Sequence, residues 1–300
     1  MSTNDRKRAS DYPKEVLALF DGYVHGGLSR REFLERAAKY AVGGVTALAL
    51  LESLSPNFAW AEQIKPADAR IKAEYVAYPS PKGSAKTRGY LVRPAAAKAG
   101  AKLAGIAVIH ENRGLNPYVE DVARRLAVEG YVAFAPDALA PLGGYPGDEE
   151  KARDLFKQLD ETKRTEDMIA AATYLKARGD ASGKVGAVGF CYGGGVCNQL
   201  ASRLPWLAAA APFYGRGLSA DETRSIKAAL LLHFAETDEN IDATWPPYEA
   251  ALKANKVRYE AFRYKGAQHG FHNDTTPRYD DAAAKLAWSR TLAFFKTHLA

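Results

Sequence analysis

The 300 residues are 47% hydrophobic, which is enough to bury a large core in one α/β domain carrying an appendage. Forty-one Lys and Arg against 35 Asp and Glu leave a formal charge of +6, scattered rather than clustered. That pattern argues against a nucleic-acid footprint and describes a solvated, mildly basic surface.

The appendage precedes the main domain. Leu28-Ser-Arg-Arg-Glu-Phe-Leu34 sets two arginines ahead of an apolar run at 41–51, and Ala59-Trp-Ala61 forms a small-x-small site before Glu62. A charged region, an apolar stretch and an Ala-x-Ala site in that order make a secretory signal. The paired arginines followed by Phe33 and Leu34 resemble a twin-arginine export signal. The expectation is a signal over residues 1–61 with a long n-region, passed to the twin-arginine export machinery and cleaved after Ala61. Residues 62–300 would then be one periplasmic or otherwise exported domain. The alternative is an amphipathic structural helix. Residues 12–23 are also helix-prone. The apolar run is too short and glycine-rich for a membrane span, so no stable span is expected after processing.

Residues 73–78 and 87–92 alternate as strands around the turn-rich Pro79–Gly83 stretch. Leu103–Ile109 is a continuous apolar strand, followed by a helix over 119–128 and a second buried strand at 131–135. Helical sequence runs from 148 to 177. A third buried strand covers 185–190 and leads into a helix over 193–203. Strands at 207–214 and 229–234, a helix at Trp245–Ala254, a strand at 258–264 and a closing amphipathic helix at 280–299 complete the order. Buried strands alternating with helices predict a mostly parallel central sheet covered on both faces, with a leading antiparallel hairpin. Ligands then sit beyond the carboxyl ends of the strands.

Polar chemistry follows four of those strands: His110-Glu-Asn-Arg113, Gly189-Phe-Cys191-Tyr-Gly193, His233-Phe-Ala-Glu-Thr-Asp238 and Gly266-Ala-Gln-His269. Gly-x-Cys-x-Gly between a strand and a helix has the form of a nucleophile elbow with cysteine in the serine position. A helix N-terminus favours the thiolate. A nucleophile, then an acid after a later strand, then a histidine before the last helix is the α/β-hydrolase order. Cys191, Asp238 and His269 fit it as nucleophile, orienting acid and base. Glu236, Glu239 and Asp242 compete with Asp238, and His272 stands near His269. Cys191 and Cys197 start one helix and face different ways, so a disulfide between them is not expected. His269-x-x-His272 with Cys191, His110 or His233 contains metal-ligand types, but the spacings match no compact zinc motif. Gly193–Gly195 lacks the Lys-Ser/Thr ending of a phosphate-binding loop. No metal or cofactor is expected.

Over residues 70–300 the sequence resembles the dienelactone hydrolase (carboxymethylenebutenolidase) family, which has the α/β-hydrolase fold. The resemblance is carried by His110-Glu-Asn-Arg-Gly-Leu115, Gly130-Tyr-Val-Ala-Phe-Ala-Pro-Asp137, the strand and elbow from Gly183 to Gly194, Asp238 and His269-Gly-Phe271. It implies a Cys191–Asp238–His269 triad. It further implies that Glu111 partners the resting thiol, and that the backbone amides of Tyr192 and Asn112 form the oxyanion hole. Dienelactone-specific members hold the substrate carboxylate with arginines at positions that are Asn273 and about Glu149 here. Arg113 and Arg216 are candidate replacements, and Tyr145, Tyr192 and Phe271 are candidates to line an apolar pocket. The implied function is cofactor-independent hydrolysis of a small ester or lactone. The other reading is a non-catalytic binding or scaffold protein that keeps the hydrolase fold.

Overall fold

A computed structural model describes residues 7–60, 62–98 and 100–300. Its sheet holds β1 (Ile71–Ala77), β2 (Arg88–Pro94), β3 (Leu103–Ile109), β4 (Val132–Pro136), β5 (Ala181–Phe190), β6 (Ala209–Phe213), β7 (Ala229–Thr237) and β8 (Tyr259–Gln268). The spatial order is β1-β2-β4-β3-β5-β6-β7-β8. β1 and β2 pair antiparallel, as do β2 and β4, and every later pairing is parallel. β1 shows one buried residue and reads as an edge, whereas β4 and β6 are buried throughout. That contrast is the difference between a strand with a solvent face and strands covered by helices on both sides.

The helices are α1 (Lys14–Val24), α2 (Arg30–Ala37), α3 (Ala47–Leu54), α4 (Pro117–Val128), α5 (Glu149–Lys157), α6 (Glu161–Ala177), α7 (Tyr192–Arg203), α8 (Ala220–Thr223), α9 (Glu239–Asp242), α10 (Trp245–Ala254) and α11 (Asp281–Leu299). α4 and α11 pack on one face of the sheet, through residues such as Val122, Leu126, Ala287 and Phe295. α6, α7 and α10 cover the other, through Met168, Leu175, Leu200 and Leu252. The helical stretch expected at 148–177 is two helices. Asp148 caps α5, and Asp160 caps α6 by accepting the Lys163 amide at 2.8 Å, which starts a new helix rather than continuing the first. β8 also runs beyond the expected 264, because it continues to pair with β7 past a register shift as far as Thr237 and Gln268.

Ahead of β1 lies a third cluster. Val16, Phe20, Phe33, Leu50, Leu51 and Leu54 from α1, α2 and α3 form a small core of their own. Arg30 and Arg31 begin α2 behind a Ser29 capping box. The apolar run at 41–51 is not one helix, because Gly43 and Gly44 both have positive φ and α3 starts only at Ala47. No helix among the described residues is long and apolar enough to cross a membrane. The cleavage position expected at Ala61 lies outside the described residues.

Candidate active site

β5 ends at Phe190 and α7 begins at Tyr192, so a single residue makes the corner. Cys191 takes φ 55° and ψ −114°, a conformation that non-glycine residues seldom adopt. Its amide donates to the Phe213 carbonyl at 3.1 Å, and its carbonyl accepts from Gly195 at 3.2 Å, which holds the strained turn in place. The flanking glycines are required by space. A Cβ on Gly189 would stand 2.2 Å from the Gly193 carbonyl oxygen, and one on Gly193 would stand 2.3 Å from that of Ile109. β5 therefore crosses close beneath the helix and against β3, and the sulfur is lifted above the sheet.

Asp238 follows β7 and His269 follows β8. The His269 Nδ1 lies 2.6 Å from Asp238 Oδ2, and both side chains are almost fully buried. The carboxylate accepts from Nδ1, which turns Nε2 towards the sulfur. Burial alone would depress the imidazole, but the facing sulfur and Asp238 outweigh it and raise His269 to about 9. Burial likewise opposes the Cys191 thiolate, yet His269 and a second imidazole bring the thiol down to about 5. Glu236, Glu239 and Asp242, the rival acids, do not meet His269. Glu236 accepts from the Gly266 amide, and Asp242 pairs with Arg263.

The second imidazole belongs to His25, at the end of α1. Its Nε2 is 3.6 Å from Cys191 Sγ and 3.2 Å from His269 Nε2. Its Nδ1 faces the carbonyl and the carboxylate of Asp21, at 3.0 and 3.3 Å. Sequence reasoning missed this residue. Its only local mark is the Gly26-Gly27 pair that ends α1, and nothing there points to position 191.

Glu111 follows β3. Its Oε2 accepts from Asn273 Nδ2 at 2.9 Å, so the position four residues after His269 holds the glutamate. Burial and the nearby sulfur raise Glu111 to about 7. The sulfur's hydrogen-bonding contacts are to His25 and His269, and the glutamate's is to Asn273. The Tyr192 amide sits in the first turn of α7, where no intrahelical acceptor exists, and Asn112 adjoins Glu111. The Asn112 side chain donates to the Val24 carbonyl at 3.0 Å.

A cavity of about 400 Å³ opens over this centre, lined by Glu111, Asn112, Arg113, Tyr145, Cys191 and His269 on one side and by Phe20, Tyr23, Val24 and Leu51 on the other. Arg113 is buried at its wall, donating to Asn112 Oδ1 at 2.7 Å and lying 3.8 Å from Glu149. Tyr145 donates to Glu149 at 2.8 Å. Three expected lining side chains are elsewhere. The Tyr192 ring packs against His110 and Phe156 among the residues of the α6–α7 face. Phe271 is wholly buried in the core against Tyr214 and Tyr264, and Arg216 is exposed on the loop after β6. Arg278, which was not anticipated, lines the cavity and pairs with Asp21 at 3.2 Å. The remaining candidate metal-binding histidines are occupied. His110 accepts from the Ala138 amide, His233 lies between Tyr264 and Thr291, and His272 meets Tyr118. The Nε2 atoms of His25 and His269 and the Cys191 sulfur lie within 4.8 Å of one another.

A mostly parallel sheet, a strand-to-helix corner of elbow form and a histidine–carboxylate pair define an α/β-hydrolase-type fold. The model of the dienelactone hydrolase family matches residues 87–299, and the chain belongs to that family, whose members are hydrolases of lactones and esters. A second family model, described as YqhI-like, matches residues 3–39. A Synechocystis protein named "Putative carboxymethylenebutenolidase" is 33% identical over 73% of this chain and 95% of its own length. "Putative hydrolase fragment YghX" of Escherichia coli is 55% identical over 39% of this chain and 99% of its own. Among solved structures, one described as a "Putative Dienelactone Hydrolase" from Klebsiella pneumoniae superposes with a TM-score of 0.67 at 26% identity, covering 75% of this chain and 98% of that one.

Proposed function

We propose that the chain hydrolyses small esters or lactones by cysteine nucleophilic catalysis. Cys191 Sγ attacks the acyl carbon, and the carbonyl oxygen takes up the charge between the Tyr192 and Asn112 amides. The tetrahedral species collapses to a thioester and expels the alkoxide, which takes its proton from His269. In a lactone, that alkoxide remains tethered as the new hydroxyl. A water then gives a proton to His269 and attacks the thioester, releasing the acid and the thiol. Asp238 fixes the His269 tautomer and stabilises its charged form. Glu111, held by Asn273, sits beside the sulfur as a carboxyl that gains or loses its proton near neutrality.

The observation that carries this reading is a cysteine strained onto the strand-to-helix corner, facing a histidine whose other nitrogen is 2.6 Å from a buried carboxylate. Arg30, Arg113 and Arg278 line the cavity, but each already faces a carboxylate, Glu150, Glu149 and Asp21 respectively. This favours neutral or weakly anionic substrates. The full chain is assayed with p-nitrophenyl esters and five-membered enol lactones. Cys191→Ala should lower kcat/KM by about a thousandfold or more, and intact mass should reveal an acyl adduct on the wild type alone. Turnover unchanged in Cys191→Ala sinks the proposal. Export through the twin-arginine route is proposed on the order of Arg30-Arg31, the apolar run and Ala59-Trp-Ala61. Intact mass of the protein recovered outside the cytoplasm reads directly whether it starts at Glu62.

A further inference from the structure

Residues 7–60 behave as a cap on the hydrolase. Apart from Phe58, which packs against the cluster on the α4–α11 face, their apolar residues form a core of their own. The seam is largely polar instead. Arg30 meets Glu150 at 2.6 Å and Asp21 meets Arg278 at 3.2 Å. The Val24 carbonyl accepts from Asn112 at 3.0 Å, and the Arg153 guanidinium lies 4.3 Å from the centre of the Tyr23 ring. α1 aims its last turn at the cavity, and His25 is its C-cap residue.

The hydrogen positions at this junction are constrained by the heavy atoms. His269 Nδ1 faces a carboxylate, and His25 Nδ1 faces a carbonyl and a carboxylate, so both Nδ1 atoms carry hydrogen. The two Nε2 atoms nevertheless stand 3.2 Å apart with the Cys191 sulfur beside them. Two bare lone pairs would repel at that distance, so one ring must carry a second proton, and the thiol is the adjacent acid that supplies it. His25 is the better holder of that charge, since it ends a helix and has Asp21 one turn back.

We infer that His25 is the resting counter-ion of the Cys191 thiolate, delivered by the cap, and that it withdraws before ester chemistry can occur. It leaves its Nε2 proton on His269 Nε2, 3.2 Å away, so that the leaving alkoxide still finds its acid. Withdrawal is required because its Nε2 occupies the place on His269 Nε2 where the leaving oxygen and the hydrolytic water must each bond. The inference rests on the proposed Cys191–His269 chemistry. The charged groups facing the pair are Asp21 on α1, His269 and Arg278 after β8, Glu111 and Arg113 after β3, and Asp238 behind His269.

The test uses the full chain with two readouts, the pH dependence of Cys191 alkylation by iodoacetamide and kcat and KM for p-nitrophenyl acetate. In His25→Ala the apparent thiol pKa should rise by at least one unit, and kcat/KM should rise about three- to tenfold. Arg30→Ala, which loosens the seam away from the sulfur, should raise kcat/KM in the same direction. It also keeps the test alive if the first variant folds poorly. Wild-type kcat/KM should increase with sodium chloride as the seam is screened. An alkylation profile unchanged in His25→Ala overturns the pairing, and an unchanged or lower kcat/KM overturns the withdrawal. Failure of the nucleophile reading is separate, because it appears as turnover surviving in Cys191→Ala while the alkylation arm still reports on His25.

Discussion

At the residue scale, the centre is a set of protons shared among groups that each moved far from their ordinary values. The thiol stands near 5, His269 near 9 and His25, the resting partner of the sulfur, near 11, so the thiolate–imidazolium pair forms as pH rises through the lowest value and is lost above the highest. Between them sits Glu111, pushed up to about 7 by burial and the sulfur and drawn back by Asn273. Asn273→Ala removes the amide that donates to the carboxylate, so Glu111 should titrate at still higher pH. The limb of the kcat/KM profile near neutrality should move upward, and a limb that stays in place would detach Asn273 from the glutamate. Asn273 also illustrates how far local sequence reaches. Its position after His269 was legible as an absent arginine, but that it grips Glu111 was not, because the two are 162 positions apart and meet only when β3 and β8 end at the same edge.

At the scale of single elements, the elbow is the most tightly specified piece. Both glycines face backbone carbonyl oxygens, which cannot swing aside as a flexible side chain can. Gly193→Ala should therefore destabilise the fold by about 2–3 kcal/mol, with the β3 end and the Glu111 segment displaced as well. A denaturation midpoint unchanged from wild type would mean that the corner has slack. The strands were legible because continuous apolar runs such as Leu103–Ile109 and Ala209–Phe213 have few other places to go. The division of 148–177 was less so. Asp160 acts through one hydrogen bond to an amide three residues on, and helical periodicity does not register it.

At the scale of the whole molecule, two units of unequal size share one site. The hydrolase has apolar clusters on both faces of an eight-stranded sheet, while the cap has one small core and a seam of ion pairs. A largely polar seam with little apolar packing means a low opening free energy. Amides of α1, α2 and α3 should thus exchange with solvent well before those of β3 and β5, as read by hydrogen-exchange mass spectrometry. Equal protection of the two would show that the cap is welded to the domain. The residues of the proposed export signal have structural partners: Arg30 reaches Glu150, and Phe33 is in the cap core. Cleavage after Ala61 would remove His25 along with them, so the two forms of the chain would differ at the reaction centre itself.

The hydrolase architecture, the corner cysteine and the strand ends carrying Asp238 and His269 were determined by the sequence alone. Each depends on short-range rules: apolar period, glycine clearance and chain order. The partner of the sulfur was decided by tertiary structure, because His25 lies 166 positions away and arrives only through the docking of a separate helical unit. No local spacing encodes that contact. It exists because a helix end, a carboxylate and a polar seam together set one imidazole above the elbow.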